Sequence, residues 1–169
     1  MMRYAIYQTA WGWFGCVVRK DRLVASHLPA DESMVYENIR RDWPEARRQQ
    51  NLLPDLKRSV LAYFNGRAEP FDVRVDLSER TPFQRAVLQA CRRIPHGQTA
   101  TYADLARKVG NPKAARAVGR VMATNPMPLV IPCHRVLCGD GSLGGFSSPG
   151  GVELKKRLLR FEDDSLVTD

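Results

Sequence analysis

The chain has 169 residues, 44% of them hydrophobic, and a formal net charge of +8. That length supports one domain or two small ones with a real core, and no apolar run approaches the roughly 18 residues that cross a bilayer. Polar residues interrupt segment 1–8 before a signal-peptide core could form, so the expected location is the cytoplasm, with no membrane partner.

The first half reads as an α/β module. Residues 4–8, 14–18 and 23–28 are short β-rich segments separated by turn residues such as Gly12 and Lys20-Asp21. Residues 31–50 are rich in charge and predict a helix. Pro54 opens another, running to Phe64 with Leu56, Val60, Leu61 and Phe64 at helical spacing, and Asn65-Gly66 stops it. Residues 71–77 alternate apolar and polar, the pattern of a half-buried strand. The pattern changes around residues 76–82, and a boundary there divides the chain into 1–78, an amino-terminal α/β support domain, and 79–169.

Thr81-Pro82 predicts a capped helix whose apolar face is Phe83, Val87, Leu88, Cys91 and Ile94, ended by Pro95-His96-Gly97. Thr101-Tyr102-Ala103-Asp104 has the form of a capping box and starts a helix that runs to Gly110. Asn111 and Pro112 then predict the cap and first position of another helix over residues 113–122. Two short helices joined in this way read as a helix-turn-helix, although helical hairpins are also common in cores. On the second helix Ala114, Ala115 and Gly119 allow close approach to a surface, while Lys113, Arg116 and Arg120 supply charge. The alternative is a solvated basic helix packed through Val118 and Val121. Charge distribution favours contact with nucleic acid: residues 81–160 hold 13 Lys/Arg against Asp104, Asp140 and Glu153, a net of +10. An anionic membrane surface is the second candidate for such a field.

The segment Leu129-Val130-Ile131-Pro132-Cys133-His134-Arg135-Val136 presents a thiol beside a base and a cation. A thiolate is the reactive form of cysteine, and neighbouring positive charge or a hydrogen-bonded imidazole favours it. Along an extended strand Cys133 and His134 point to opposite faces, so a water bridge or a backbone turn is needed to join them. Glu162, at the end of a basic helix packed through Leu154, Leu158, Leu159 and Phe161, is the candidate to orient the imidazole. Asn125, before Pro126, is a turn residue or a hinge between helix and cysteine. Cys16 and Cys91 read as buried apolar residues. The four cysteines form no Cys-x-x-Cys pair and no dense zinc-ligand spacing, so they predict no zinc site. A DNA-binding regulator that senses alkylation and a cysteine hydrolase are the competing functions. The first usually needs a further domain, and the second gives no reason for the basic helix.

An ordered set of motifs runs through the second half. It comprises Thr-Pro-Phe-Gln at 81–84, Ile-Pro-x-Gly at 94–97, Thr-Tyr at 101–102, Asn-Pro-Lys-Ala-Ala-Arg-Ala-Val-Gly at 111–119, Asn-Pro at 125–126 and Ile-Pro-Cys-His-Arg-Val at 131–136. Over residues 81–162 the chain closely resembles the O6-alkylguanine-DNA alkyltransferases, the methylated-DNA–protein-cysteine methyltransferases. Residues 1–80 match only in layout.

The resemblance implies a ribonuclease H-like first domain and a mostly α, winged-helix-like second domain with the helix-turn-helix. It implies a monomer that binds double-stranded DNA containing O6-alkylguanine. The base is flipped, and its alkyl group moves irreversibly to Cys133, with O4-alkylthymine as a further substrate. His134 acts through water, Glu162 orients it, Tyr102 donates a proton to guanine N3, and Asn125 is the hinge. Arg116 fills the gap left by the base, and the helix carrying Lys113, Ala114, Ala115, Gly119 and Arg120 enters the minor groove, with Arg135 as a further DNA contact. Met122, Pro128 and Val136 line the alkyl pocket with the Phe146 ring, and Ser147 offers a donor to O6.

Three features depart from the family pattern. Phe146 stands where many members have Tyr, Ser148-Pro149-Gly150-Gly151 lengthens the active-site loop, and Lys155-Lys156-Arg157 adds positive charge where Lys-Glu-Trp is typical.

Overall fold

A computed structural model describes residues 1–168 and divides into two compact units, Met1–Ser78 and Glu79–Asp169. In the first unit β1 (Met2–Thr9), β2 (Gly12–Arg19) and β3 (Arg22–Ala30) form an antiparallel meander. Lys20 and Asp21 both take positive φ (48° and 58°), which lets a two-residue turn follow the twist of the strands it joins. A two-residue strand, β4 (Arg47–Arg48), adds parallel to β1 and gives the sheet order β3-β2-β1-β4.

Two helices accompany this sheet. α1 (Glu32–Asp42) buries Val35 and Ile39 in a cluster with Tyr4, Ile6, Val17 and Ala25. It is shorter than the helix expected over residues 31–50. Trp43 precedes Pro44 and leaves the helical region (φ −135°, ψ 62°), as the proline ring demands of the residue before it. α2 (Pro54–Phe64) has the expected bounds and buries Leu56, Val60, Tyr63 and Phe64.

The strand expected over residues 71–77 is reduced to one parallel bridge, Leu23 to Val75. Leu23 N–H donates to Arg74 O and Asp76 N–H donates to Leu23 O, both at 2.8 Å. Beyond them Asp76 is taken up by Arg19 at 2.9 Å and by Ser78, which turns the chain away from the sheet edge. Alternation alone therefore described the exposure of this segment, not a ladder.

The second unit contains α3 (Pro82–Arg92), α4 (Tyr102–Lys108), α5 (Ala115–Ala123) and α6 (Gly151–Glu162). A short parallel ladder of β5 (Ala100–Thr101) and β6 (Val136–Leu137) completes it. Both predicted caps are present: Thr81 with Gln84, and Thr101 with Asp104, each exchange side-chain and backbone bonds in a full capping box. α5 begins later than Asn111-Pro112 suggests. Asn111 O accepts from Ala114 N at 3.0 Å, closing a turn that contains Pro112, and the helix starts only after Ala114. Val87, Leu88, Cys91, Leu105, Val118, Leu158 and Leu159 are buried in this unit. Among the described residues no helix is long and apolar enough to cross a membrane.

One close approach fixes how α1 lies on its sheet. A Cβ on Gly15 would fall 2.7 Å from Val35 Cγ1 and 3.0 Å from Ile39 Cδ1, closer than packed carbon atoms tolerate. Gly15→Ala should therefore destabilise the protein by about 1–3 kcal/mol through overpacking. A lower urea midpoint at unchanged slope would show it; an unaltered midpoint would mean that α1 shifts freely.

Candidate active site

Cys133 opens a 3₁₀ turn, Cys133–Arg135, rather than lying on an extended strand. Pro132 restrains the approach, and its carbonyl accepts from Arg135 N at 2.9 Å. Side chains in such a turn fan out about 120° apart instead of alternating by 180°. Cys133 thereby lines a cavity while His134, fully buried, turns towards α6.

There His134 Nε2 lies 2.7 Å from Glu162 Oε1, whose side chain has no solvent exposure. The predicted His134–Glu162 pairing is thus present. Nδ1, the other imidazole nitrogen, is buried without a protein partner.

Arg135 is a correction. It was expected on DNA, yet it is only 6% exposed. Its guanidinium bonds both Glu162 oxygens at 2.8 Å and donates from Nη1 to Ile94 O at 2.6 Å. Its donors are spent inside the protein. Glu162 also accepts from Gly97 N–H at 3.2 Å, tying the Pro95-His96-Gly97 turn to the same carboxylate.

Asn125 joins the end of α5 to the cysteine segment. Nδ2 donates to Ile131 O at 2.8 Å and Oδ1 accepts from Met127 N at 3.0 Å. One amide side chain therefore bridges both sides of the connection.

Lys155, the first residue of the basic stretch Lys155-Lys156-Arg157, turns inward. It is 1% exposed, and its ammonium donates to the carbonyls of Val136 at 2.7 Å, Leu143, and Gly145 at 3.3 Å. It also lies 5.9 Å from the Tyr102 ring centroid. Sequence phase held the signal: Lys155, Leu158, Leu159 and Glu162 recur at the spacing of one helical face, and the face is buried. Lys156 and Arg157 carry the remaining charge outward.

The cavity before Cys133 has a volume of about 470 Å³. Met122, Phe146 and Ser147 line it as the sequence suggested, and so do Tyr102, expected as a proton donor, and Gly119, expected on the DNA-facing side of the helix. Ala123, Cys138, Gly144 and Gly145 line it without having been foreseen. Pro128 and Val136 do not. Both are buried, Val136 facing the protein interior with its carbonyl on Lys155, and Pro128 in a bridge to Ile131. Lys113, Arg116 and Arg120 are exposed, and Ala114 and Ala115 half-buried, around the start and outer face of α5. Arg116, Gly119, Arg120 and Ala123 share one helical face, so Arg116 stands one turn from the cavity wall. Among the described residues no group of three or more His, Cys, Asp or Glu could hold a metal ion.

Residues 82–164 match the model of the 6-O-methylguanine DNA methyltransferase DNA-binding domain. A methylated-DNA–protein-cysteine methyltransferase of Methanosarcina barkeri is 40% identical over 125 residues, covering 74% of this chain and 75% of that protein. The chain belongs to the methylated-DNA–protein-cysteine methyltransferases. The constitutive methyltransferase of Bacillus subtilis is 33% identical over 168 residues, covering 96% of both chains. Mycobacterium tuberculosis OGT in complex with DNA superposes with a TM-score of 0.80 at 31% identity, over 98% of this chain and 94% of that one.

The electrostatics of this methyltransferase site oppose one another in an ordered way. Burial pushes the Cys133 thiol up, while the Asn125 side chain and the Lys155 charge pull it down without cancelling the effect. Burial lowers His134 despite Glu162, so its imidazole is neutral at pH 7 and free to accept a proton. For Glu162 burial acts upward, but the bonds from His134 and Arg135 outweigh it and hold the carboxyl well below the usual range.

A carboxyl depressed in this way stabilises the fold above its unfolded value of about 4.3, and the contribution fades as pH falls towards the folded value. Glu162→Gln should cost about 3–5 kcal/mol at pH 7, because Arg135 is left buried without its counter-charge. Urea unfolding at pH 7 and pH 3 should show the gap between wild type and variant narrowing in acid. A gap that stays constant would contradict an ionised Glu162.

Proposed function

We propose that the activity this family is named for, methyl transfer from DNA to a protein cysteine, is carried out here by Cys133 acting on O6-alkylguanine. The observation that carries this reading is the buried thiol at the cavity wall, followed in the same 3₁₀ turn by a neutral imidazole backed by an ionised carboxylate. An O6 substituent inside a stacked duplex lies out of reach of such a thiol, so the base must be extruded into the cavity. Arg116, exposed on the helical face that leads to the cavity, is placed to occupy the vacated position. The small residues Ala114, Ala115 and Gly119 suit α5 to the minor groove, with Lys113 and Arg120 on the phosphates.

In the reaction a bond forms between Cys133 Sγ and the alkyl carbon while the carbon–O6 bond breaks, its electron pair passing to the base. One water bridging Sγ and the partnerless Nδ1 takes the thiol proton to His134, and Glu162 stabilises the imidazolium. Tyr102, at the cavity wall, donates to guanine N3 as charge develops there, and Ser147 stands near O6. Afterwards His134 releases its proton to solvent and Tyr102 recovers one, so in net terms the guanine gains the proton that the thiol lost and no co-reactant or cofactor enters. Asn125 positions the cysteine turn as a hinge.

O4-alkylthymine, which offers an equivalent alkyl oxygen, is a further substrate of the same chemistry. The chain acts as a cytoplasmic monomer, with unit 1–78 as a ribonuclease H-like support and unit 79–169 as a winged-helix-like DNA reader. The antiparallel meander with its parallel β4 and the short helices α4 and α5 support those architectures.

Incubation with a duplex containing O6-methylguanine should place one methyl group on the peptide containing Cys133, with one turnover per protein molecule. Peptide mass mapping checks this; an unmodified Cys133, or many turnovers, would sink the assignment. A second measurement isolates Arg116. Arg116→Ala should slow repair of duplex DNA at least tenfold more than it slows reaction with free O6-benzylguanine, for which no base stack has to be opened. Equal losses on the two substrates would argue against a role in base replacement.

A further inference from the structure

We infer that Leu129 is a positioning residue for the transfer: its buried side chain holds a left-handed backbone turn that sets where Cys133 stands. The inference rests on the reading of Cys133 as alkyl acceptor.

Among the described residues, Lys20, Asp21, Leu53 and Leu129 take positive φ without being glycine. Lys20 and Asp21 are exposed in the turn between β2 and β3, and Leu53 is half-buried just before α2. Leu129 differs from all three. It is 1% exposed, with φ at 76°, and it lies in the segment that leads into the cysteine turn. Glycine reaches this region freely, whereas the Cβ of any other residue crowds the carbonyl that follows it. The leucine therefore opposes the backbone conformation it occupies, and removal of its side chain from water offsets that strain.

Hydrogen bonds carry the turn to the cysteine. Ile131 N–H donates to Met127 O at 2.8 Å, closing an α-turn over residues 127–131 with Leu129 at its centre. Ile131 O then accepts from Asn125 Nδ2 and from the Cys133 N–H, each at 2.8 Å. Between them Pro132, at φ −80° and ψ 66°, forms an inverse γ-turn that leaves the chain little slack. A rotation of Leu129 out of the left-handed region would displace Ile131, and with it the backbone that aims the thiol. Leu129 does not line the cavity, so it acts on the reaction only through this backbone.

Single-turnover methyl transfer from an O6-methylguanine duplex at saturation, with the full chain, tests this. If Leu129 merely filled the core, Leu129→Gly would be worse than Leu129→Ala, because it removes more. A strained turn held by burial reverses that order. Leu129→Ala should slow transfer about tenfold or more, the factor that one strained residue represents. Leu129→Gly, which keeps the left-handed turn without a side chain, should react about threefold or more faster than Leu129→Ala. A Gly variant as slow as the Ala variant, or slower, would overturn the inference. Variants that keep the core filled repeat the test in a stable chain. Leu129→Ile, whose β-branch resists positive φ, should react about fivefold or more slowly than Leu129→Met. Equal rates for those two would also overturn it. Absence of methyl transfer to Cys133 in the unaltered chain would overturn the acceptor reading itself.

Discussion

Glu162 places a carboxylate with no solvent exposure among His134, the Arg135 guanidinium and the Gly97 N–H. Three separate stretches of chain converge there: the end of α6, the turn carrying Cys133, and the turn that ends α3 and precedes α4. A carboxylate taken out of water is costly unless its oxygens are filled, and here each oxygen has at least two donors. Every one of those donors is thereby fixed in place. Arg135 passes the restraint on to Ile94 O, so the 3₁₀ turn is braced against the α3 end from two directions.

Two turns earlier on the same helical face, Lys155 does the complementary work with the opposite charge. Its partners are backbone carbonyls of Val136, Leu143 and Gly145, not a carboxylate. Hydrogen bonds to a charged group contribute about 1.5–3 kcal/mol each, enough to set against the desolvation of one ammonium. The consequence is geometric. α6 grips the cysteine turn through Glu162 at His134 and Arg135 and just past its end through Lys155 at Val136, and the glycine-rich wall of the cavity is held by the second grip.

Local chemistry was readable from the residues; partnership across the chain was not. The cap at Thr81, the capping box at Thr101 and the bounds of α2 depend on neighbours three or four positions away, and all three appear as read. The helix over residues 31–50 was overextended because its charge pattern continues past Pro44 while its backbone does not. The alternation of residues 71–77 was real, but a ladder needs an edge to pair with along its length. At the site, the sequence singled out the Cys133 segment, which lines the cavity, and named Glu162 as the partner of His134, which lies 2.7 Å from it. It could not say that Arg135 spends its charge on Glu162, since a buried and an exposed arginine look alike in a sequence. Nor could it foresee Cys138 or Gly144 at the cavity, which depends on the loop folding back over β6.

The direction of the Cys133 shift also bears on how a protein consumed by its own reaction avoids waste. A standing thiolate would react with any small electrophile or oxidant that reached it. Burial keeps the thiol protonated at neutral pH, and Asn125 and Lys155 only soften that effect. The neutral His134 beside it holds a vacant acceptor nitrogen, so the proton has a destination once a substrate is in place. In the proposed reaction, reactivity therefore arises from a proton path completed by the bound base rather than from a permanently activated sulfur. Such an arrangement gives up some rate on free electrophiles. In return each molecule is kept for an alkyl group that the cavity has already oriented towards the sulfur, which is the condition a single-use acceptor has to meet.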